Sequence, residues 1–264
     1  MNYFHLCVIV IVIFSSSQIQ FQVNSDKDRK SNIQKQMNDD RVPPFFDARV
    51  NFSGCIHLTG NYSSCGSDYA IAAASVLSDR LCIKSQQSTN ILLSAQDIIN
   101  CDGSEPNCLG SANSVFTYLM NKGTCSDQCV PYSNVQPGKC KSGICQNPVD
   151  QYISYKCKSG SVNTLSSIID IQKEIMNNGP VYSDFTIYAD FADYHSGIYY
   201  QSSHIAIKTK SVKILGWGNE NGILYWLCAN NLGPRWGEDG YFRIAFYEAG
   251  IASIVYFCDP EINS

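Results

Sequence analysis

Cysteine is the residue that most constrains how this chain can fold. The sequence has 13 cysteines in 264 residues, which is too many for a typical cytosolic protein. If Cys7 leaves with an N-terminal leader, an even number remains, and this favours a disulfide framework. Zinc is the alternative, but the chain has only 4 histidines and no paired C-x-x-C knuckles. We therefore expect disulfides, with no metal site and no cofactor.

The first residues indicate the compartment. Residues 6–14 (LCVIVIVIF) form an apolar run followed by three serines, a pattern typical of a secretory signal and too short to span a bilayer. We expect a signal peptide over 1–17, a short polar leader or pro-segment over 18–41, and a folded domain over 42–264. No later segment is apolar enough to be transmembrane. The predicted location is the secretory pathway, either extracellular or in a lysosome- or vacuole-like lumen.

The net charge limits the kinds of partner that the chain can bind, and two sequons indicate where it can be glycosylated. The formal net charge of −4 without basic runs argues against nucleic acid. Asn51 and Asn61 each begin an N-x-S sequon, so both are candidate glycosylation sites in a secretory chain, although such tripeptides also occur by chance. A protein or peptide partner is expected. The oligomeric state stays open.

Helical patterns precede strand patterns along the chain. Residues 66–82 combine an apolar stripe with Ser67 as a candidate N-cap, which predicts a buried helix. Further helices are predicted over 94–99, 112–122 and 165–178. Strands are predicted over 181–187, 212–217, 223–229, 240–246 and 254–257. This order indicates an α+β fold of two lobes, one helical (about 42–150) and one rich in strands (about 151–264).

Several sequence blocks resemble the papain family of cysteine proteases. Residues 65–69 (CGSDY) resemble the segment that opens the family's central helix. Its C-terminal blocks are matched in order by 214–218 (ILGWG), 225–227 (YWL) and 236–242 (WGEDGYF). The blocks 46–49 (FDAR), 78–82 (SDRLC) and 184–188 (DFTIY) are most similar to the cathepsin B branch. The resemblance covers roughly 42 to 258. It implies a disulfide-rich, papain-like fold with a helical left lobe and a β-barrel-like right lobe.

The chain departs from the family where the chemistry resides. The position of the nucleophilic cysteine is Asp68, the histidine position is Lys210, and the oxyanion glutamine position is Tyr62. Asn230 matches the asparagine that orients the histidine, and Ile254 takes the position at the floor of the S2 pocket. His204 lies about 20 Å along an extended chain from the histidine position, so we expect an ordinary surface or loop residue.

These replacements predict a pseudoenzyme. We expect Asp68 and Lys210 to form an ion pair that keeps the signs of the ancestral thiolate and imidazolium, with both facing solvent separately as the alternative. The predicted function is a catalytically inactive binding or structural module. Two other readings stay open: a hydrolase of altered chemistry that uses Asp68, Lys210 and Tyr62, and a constitutive subunit of a larger assembly.

Similarity to cathepsin B also implies disulfide pairs. It suggests Cys55–Cys82, Cys65–Cys108, Cys101–Cys140 and Cys129–Cys145. Of the rest, Cys228 and Cys258 both end late strands that we expect to be neighbours, so we pair them. Cys125 and Cys157 are then paired by elimination.

Overall fold

Helices occupy mainly the first half of the chain, and capping side chains define where they begin. The computed structural model describes residues 41–58, 60, 66–103, 110–133 and 138–262. Its helices are α1 Ala48–Asn51, α2 Asp68–Lys84, α3 Ala95–Cys101, α4 Ala112–Asn121 and α5 Ile168–Asn178. The side chains of Ser94, Ser111 and Ser167 each accept a backbone N–H from the first turn of α3, α4 and α5. The predicted helices are therefore present, and α5 begins later than expected because residues 163–165 form a strand.

The compact unit is Pro44–Ser264. Of the preceding unit, Met1–Pro43, the structure describes only 41–43, so the predicted signal peptide and almost all of the predicted leader lie outside the described residues. No described helix combines the length and the apolar character needed to cross a membrane.

In the described part of the chain, eight strands form one sheet. They are β1 Phe46–Asp47, β2 Asn163–Leu165, β3 Val181–Tyr188, β4 Ile198–Tyr199, β5 Ala206–Glu220, β6 Ile223–Ala229, β7 Tyr241–Ala245 and β8 Val255–Phe257. The order is β2-β8-β3-β5-β6-β7-β4, with β1 paired to β5, and only the β4–β7 pair is parallel. β5 is longer than the predicted 212–217. At the hairpin after it, Asn221 and Gly222 both have positive φ, the backbone conformation that favours an Asn-Gly dipeptide in a tight hairpin turn.

The N-terminal strand β1 was not expected from the sequence. Phe46 lies opposite Trp217 of β5, and their rings stack with centroids 5.1 Å apart. A Cβ atom at Gly216 would lie 2.2 Å from the carbonyl oxygen of Phe46, so this close approach requires glycine. The chain thus contributes its first strand to a sheet that is otherwise built from its second half.

Helix α2 is the centre of the core. Every residue from Asp68 to Cys82 in it is buried. Its hydrophobic cluster includes side chains of α3 and α4, and also Cys157, Tyr182 and Cys258 from the second half of the chain. Because α2 also packs against β5, its first residue is held next to the sheet.

Three of the disulfides expected from the resemblance are confirmed. Cys55–Cys82, Cys101–Cys140 and Cys129–Cys145 are all formed. The first ties the segment after α1 to α2, and the other two hold the turn-rich region after α4. The fourth expected pair, Cys65–Cys108, lies outside the described residues.

The two pairs assigned by strand position and elimination, Cys228–Cys258 and Cys125–Cys157, are wrong. The structure joins Cys157 to Cys258, with Cα atoms 5.6 Å apart, and leaves Cys125 and Cys228 as buried free thiols. Two strands, β3 and β5, separate β6 from β8, which puts Cys228 roughly 14 Å from the end of β8 at ordinary strand spacing. A disulfide cannot span that distance. An isolated antiparallel β-bridge, in which the backbones of Cys157 and Pro260 lie opposite each other, instead brings Cys157 beside Cys258.

Candidate functional site

Asp68 opens α2 and faces the sheet. The residue is only 9% exposed. A carboxylate in the first turn of a helix is stabilised by the unpaired backbone N–H groups there. The position that the resemblance gives to a nucleophilic cysteine therefore holds a buried anion.

Lys210 of β5 supplies the opposite charge. Its Nζ lies 2.6 Å from Asp68 Oδ1, and the residue is 4% exposed. The ion pair expected from the sequence is therefore formed, and the alternative, in which both residues face solvent separately, does not hold. A charge-assisted hydrogen bond of this length is among the stronger polar contacts a protein makes.

Two further residues that the sequence did not point to complete the site. Lys208 Nζ lies 3.0 Å from Asp68 Oδ2, and its side chain is 51% exposed. Asn231 Nδ2 donates a hydrogen bond to Asp68 Oδ1 at 2.5 Å, and Asn231 Oδ1 accepts one from Lys210 Nζ at 2.5 Å. Both carboxylate oxygens of Asp68 thus accept hydrogen bonds, and Asn231 connects the two charged groups.

Simple signals could have found both residues. Lys208 and Lys210 are two apart on a strand, so their side chains lie on the same face of the sheet. Asn231 adjoins Asn230, the residue named by the resemblance. Asn230 is 1% exposed, and its Oδ1 accepts the backbone N–H of Asn231. That contact positions the loop from which Asn231 reaches the ion pair.

The charges around Asp68 set its protonation. Burial alone would raise the pKa of the Asp68 carboxyl, but the Lys210 ammonium, hydrogen bonds from Lys210 and Asn231, and the charge of Lys208 together hold that pKa below its usual value. Burial lowers the pKa of Lys210, against the raising effect of Asp68. Among the described residues, the site is a carboxylate held by two ammonium groups and one amide.

This arrangement has a testable consequence in acid. The folded pKa of Asp68 lies below the unfolded value of 3.8, so the stability from its ionised form is present above that value and is lost as the pH falls through the folded pKa. We expect the unfolding free energy of the wild type to fall more steeply between about pH 5 and about pH 2 than that of Asp68→Asn. Urea unfolding across this range is the measurement. Equal slopes would contradict the pairing.

The remaining predicted site residues take no part in the hydrogen bonds around Asp68 or lie outside the described residues. Ile254 is 51% exposed, just before β8, and His204 is exposed ahead of β5. Asn51 is exposed at the end of α1, where its Nδ2 donates to the carbonyl of Asp47. Tyr62 and Asn61 lie outside the described residues, so their expected roles stay predictions.

A second and more completely buried charged cluster involves Lys213, three residues after Lys210 on β5. Lys213 of β5 ion-pairs with Asp79 of α2, and their side chains are 2% and 0% exposed. Lys213 Nζ also donates to Ser75 Oγ and to the carbonyl of His57. His57 Nδ1 lies 2.9 Å from the other oxygen of Asp79. These contacts link α2 to strand β5 of the sheet.

The two free thiols are poor nucleophiles. Burial, with the charge of Asp97, raises the pKa of Cys125 to about 12, and burial raises the pKa of Cys228 well above its usual value. Only the thiolate attacks carbonyls or alkylating agents. Burial therefore keeps both thiols in the protonated form near neutral pH.

We therefore expect neither Cys125 nor Cys228 to react in the folded protein. Iodoacetamide, or a thiol-directed epoxide, should label both only after unfolding in denaturant. Peptide mapping by mass spectrometry identifies the labelled positions. Rapid labelling of either residue in the native chain would contradict their burial and raised pKa values.

Known proteins match this chain over most of its length. The model of the papain family of cysteine proteases matches residues 42–258. Cathepsin B-like cysteine proteinase 4 of Caenorhabditis elegans is 33% identical over 267 residues, covering 87% of this chain and 79% of that protein. Cathepsin B-like cysteine proteinase 1 of Ostertagia ostertagi is 32% identical over 239 residues, covering 78% and 69%.

A solved structure gives the same result for the fold. The procathepsin B S9 structure from Trypanosoma congolense superposes with a TM-score of 0.79 at 28% identity, and the match covers 86% of this chain and 80% of that one. The α+β fold with several disulfides described above is therefore papain-like, as the sequence resemblance implied.

Proposed function

This chain belongs to the papain family of cysteine proteases and is cathepsin B-like, and from that membership we propose that it is a catalytically inactive member that binds a protein or peptide. Papain-like peptidases rely on a cysteine thiolate and a histidine that carries the proton. Here the matching positions are Asp68 and Lys210. The chain thus still binds peptides, as proteases of the family do, but does not cleave them.

The chemistry of a carboxylate and an ammonium group argues against cleavage of a peptide bond at this site. A carboxylate that attacked an amide would form an anhydride, which readily reverses. A lysine ammonium does not accept and return a proton near neutral pH as an imidazole does. Loss of a single triad member costs several powers of ten in rate, and here the nucleophile and the base are both replaced.

The ion pair is the observation that carries the proposal. Asp68 Oδ1 accepts from Lys210 and Asn231, and Oδ2 accepts from Lys208. An attacking carboxylate would have to give up these bonds inside a mostly buried site, where unpaired charges are costly. The arrangement favours a static structural role for Asp68.

The remaining features fit a protein of the secretory pathway. Four disulfides in the described residues suit an oxidising compartment. The exposed Asn51 sequon is proposed to carry a glycan there. Mass spectrometry of the secreted chain before and after glycosidase treatment tests this, and an unmodified Asn51 would contradict it.

A peptide library tests the absence of cleavage. The purified chain is incubated with a diverse library at mildly acidic and neutral pH, and new termini are sought by mass spectrometry. An active cathepsin B assayed in parallel is the positive control. We expect no new termini with this chain, and reproducible cleavage at defined sites would overturn the proposal.

A further inference from the structure

The start of β5 is exposed, and its pairing with β3 shifts register between Ala206 and Lys208. Residues 204–209 are all exposed, although β5 includes 206–209. Ile205 and Ile207 are 66% and 58% exposed. Apolar residues are usually covered on a strand, so this segment has the composition of a contact surface. We call residues 204–209 the exposed segment.

The exposed segment also lies along an unpaired sheet edge. β3 pairs with β5 on one side, from Ala206 to Ile214. β6 pairs with the other side only from Lys213 onward. Among the described strands, none pairs with that second side of residues 206–212, of which 206–209 are exposed and 210–212 are buried. The backbone N–H and C=O groups of the exposed residues 206–209 that point away from β3 are therefore the ones to which an extended peptide can add.

Charge indicates what kind of peptide would fit. Two ammonium groups, those of Lys208 and Lys210, surround the single carboxylate of Asp68, so the cluster has one excess positive charge. Lys210 is buried and bonded to both Asp68 and Asn231. Lys208 is half exposed, and of its three N–H donors one is used by Asp68. Lys208 is therefore the group from which a ligand can accept hydrogen bonds.

We propose that an extended peptide with acidic side chains adds to the free edge of β5, with one of its carboxylates bound by Lys208. This inference rests on the proposed binding function and names the partner class. A second copy of the chain fits less well, because residues 204–210 (HIAIKTK) contain no acidic residue. Pairing of two such edges would place lysine near lysine, which is unfavourable for cross-strand neighbours.

The test uses a short labelled peptide of alternating valine and glutamate. A matched peptide has glutamine in place of glutamate, and a third has alternate backbone nitrogens methylated. Binding is followed by fluorescence anisotropy with the folded chain. We expect the acidic peptide to bind, at least about tenfold more tightly than the glutamine peptide, and with an affinity that falls as salt is added. The methylated peptide should not bind, since it cannot form the ladder.

Lys208→Gln is the informative variant. We expect it to weaken binding of the acidic peptide by about tenfold and to lower the melting temperature only slightly, because the ion pair with Asp68 is half exposed on the lysine side. Lys141→Gln, at another exposed lysine, is the control and should bind as the wild type does.

Three results would overturn the inference. They are absence of binding, equal binding of the acidic and glutamine peptides, and equal affinity of Lys208→Gln and the wild type. Concentration-dependent dimerisation that blocks the peptide would assign the edge to a second copy instead, and would also overturn it. Mass spectrometry of the recovered peptide separates this from the proposed function, because cleaved peptide contradicts inactivity, whereas unbound intact peptide contradicts only the inference.

Discussion

Replacement of Lys213 by methionine is expected to lower the free energy of unfolding by about 3–5 kcal/mol. The ammonium of Lys213 and the carboxylate of Asp79 are almost completely buried, and Lys213 also donates to Ser75 and His57. Removal of one partner leaves the charge of Asp79 without its cation in the interior. Urea unfolding of Lys213→Met and the wild type at the same pH measures the difference.

A double variant distinguishes the destabilisation caused by an unpaired buried charge from the net contribution of the ion pair to the free energy of unfolding. In Lys213→Met combined with Asp79→Leu, we expect much of the lost stability to return, because an apolar pair can replace a buried ion pair at little cost. Lys141→Met, at an exposed position, is the matched control and should unfold like the wild type. A loss below about 1 kcal/mol in Lys213→Met would contradict the burial of this ion pair.

Removal of the Cys157–Cys258 disulfide is expected to cost about 2–5 kcal/mol. The bond links residues 101 apart in sequence, and a cross-link that closes a long loop restricts the unfolded chain strongly. The variant replaces both cysteines by alanine, and unfolding is followed under non-reducing conditions. Cys228→Ala is the control, with an expected loss of about 1 kcal/mol for a buried side chain without a disulfide.

Peptide mapping without reduction gives an independent reading of the same bond. It should recover a cross-linked pair of peptides that contain Cys157 and Cys258, and unlinked peptides with Cys125 and Cys228. Recovery of a Cys228–Cys258 link would contradict the strand order β8-β3-β5-β6. A large loss of stability in Cys228→Ala, comparable to that of the double variant, would do the same.

The ion pair was predictable because its two members occupy fixed positions in ordered motifs. Asp68 opens a helix marked by an apolar stripe, and Lys210 lies a fixed distance before the ILGWG block at 214–218. Lys208 was missed because the predicted strand began at 212. The exposed start of β5 has too few buried residues to produce an alternating pattern, so the shared face of Lys208 and Lys210 was not apparent.

The errors in disulfide pairing have a different cause. Pairs implied by the family resemblance were correct wherever the structure describes them. The pairing of Cys228 with Cys258 assumed that the two late strands that end at these cysteines are neighbours, whereas β3 and β5 lie between β6 and β8. Strand order depends on long-range packing, which local periodicity does not report. The same applies to β1, whose two residues join the sheet through the stacking of Phe46 on Trp217.

Cleavage of an amide by the recombinant chain is the most direct test of inactivity. The wild type and Asp68→Asn are purified in the same way and assayed on the same fluorogenic peptide amides, with an active cathepsin B to set the detection limit. If Asp68 and Lys210 form only a static ion pair, neither protein releases the fluorophore above that limit. Turnover by the wild type that disappears in Asp68→Asn would show Asp68 to be catalytic and would contradict the account.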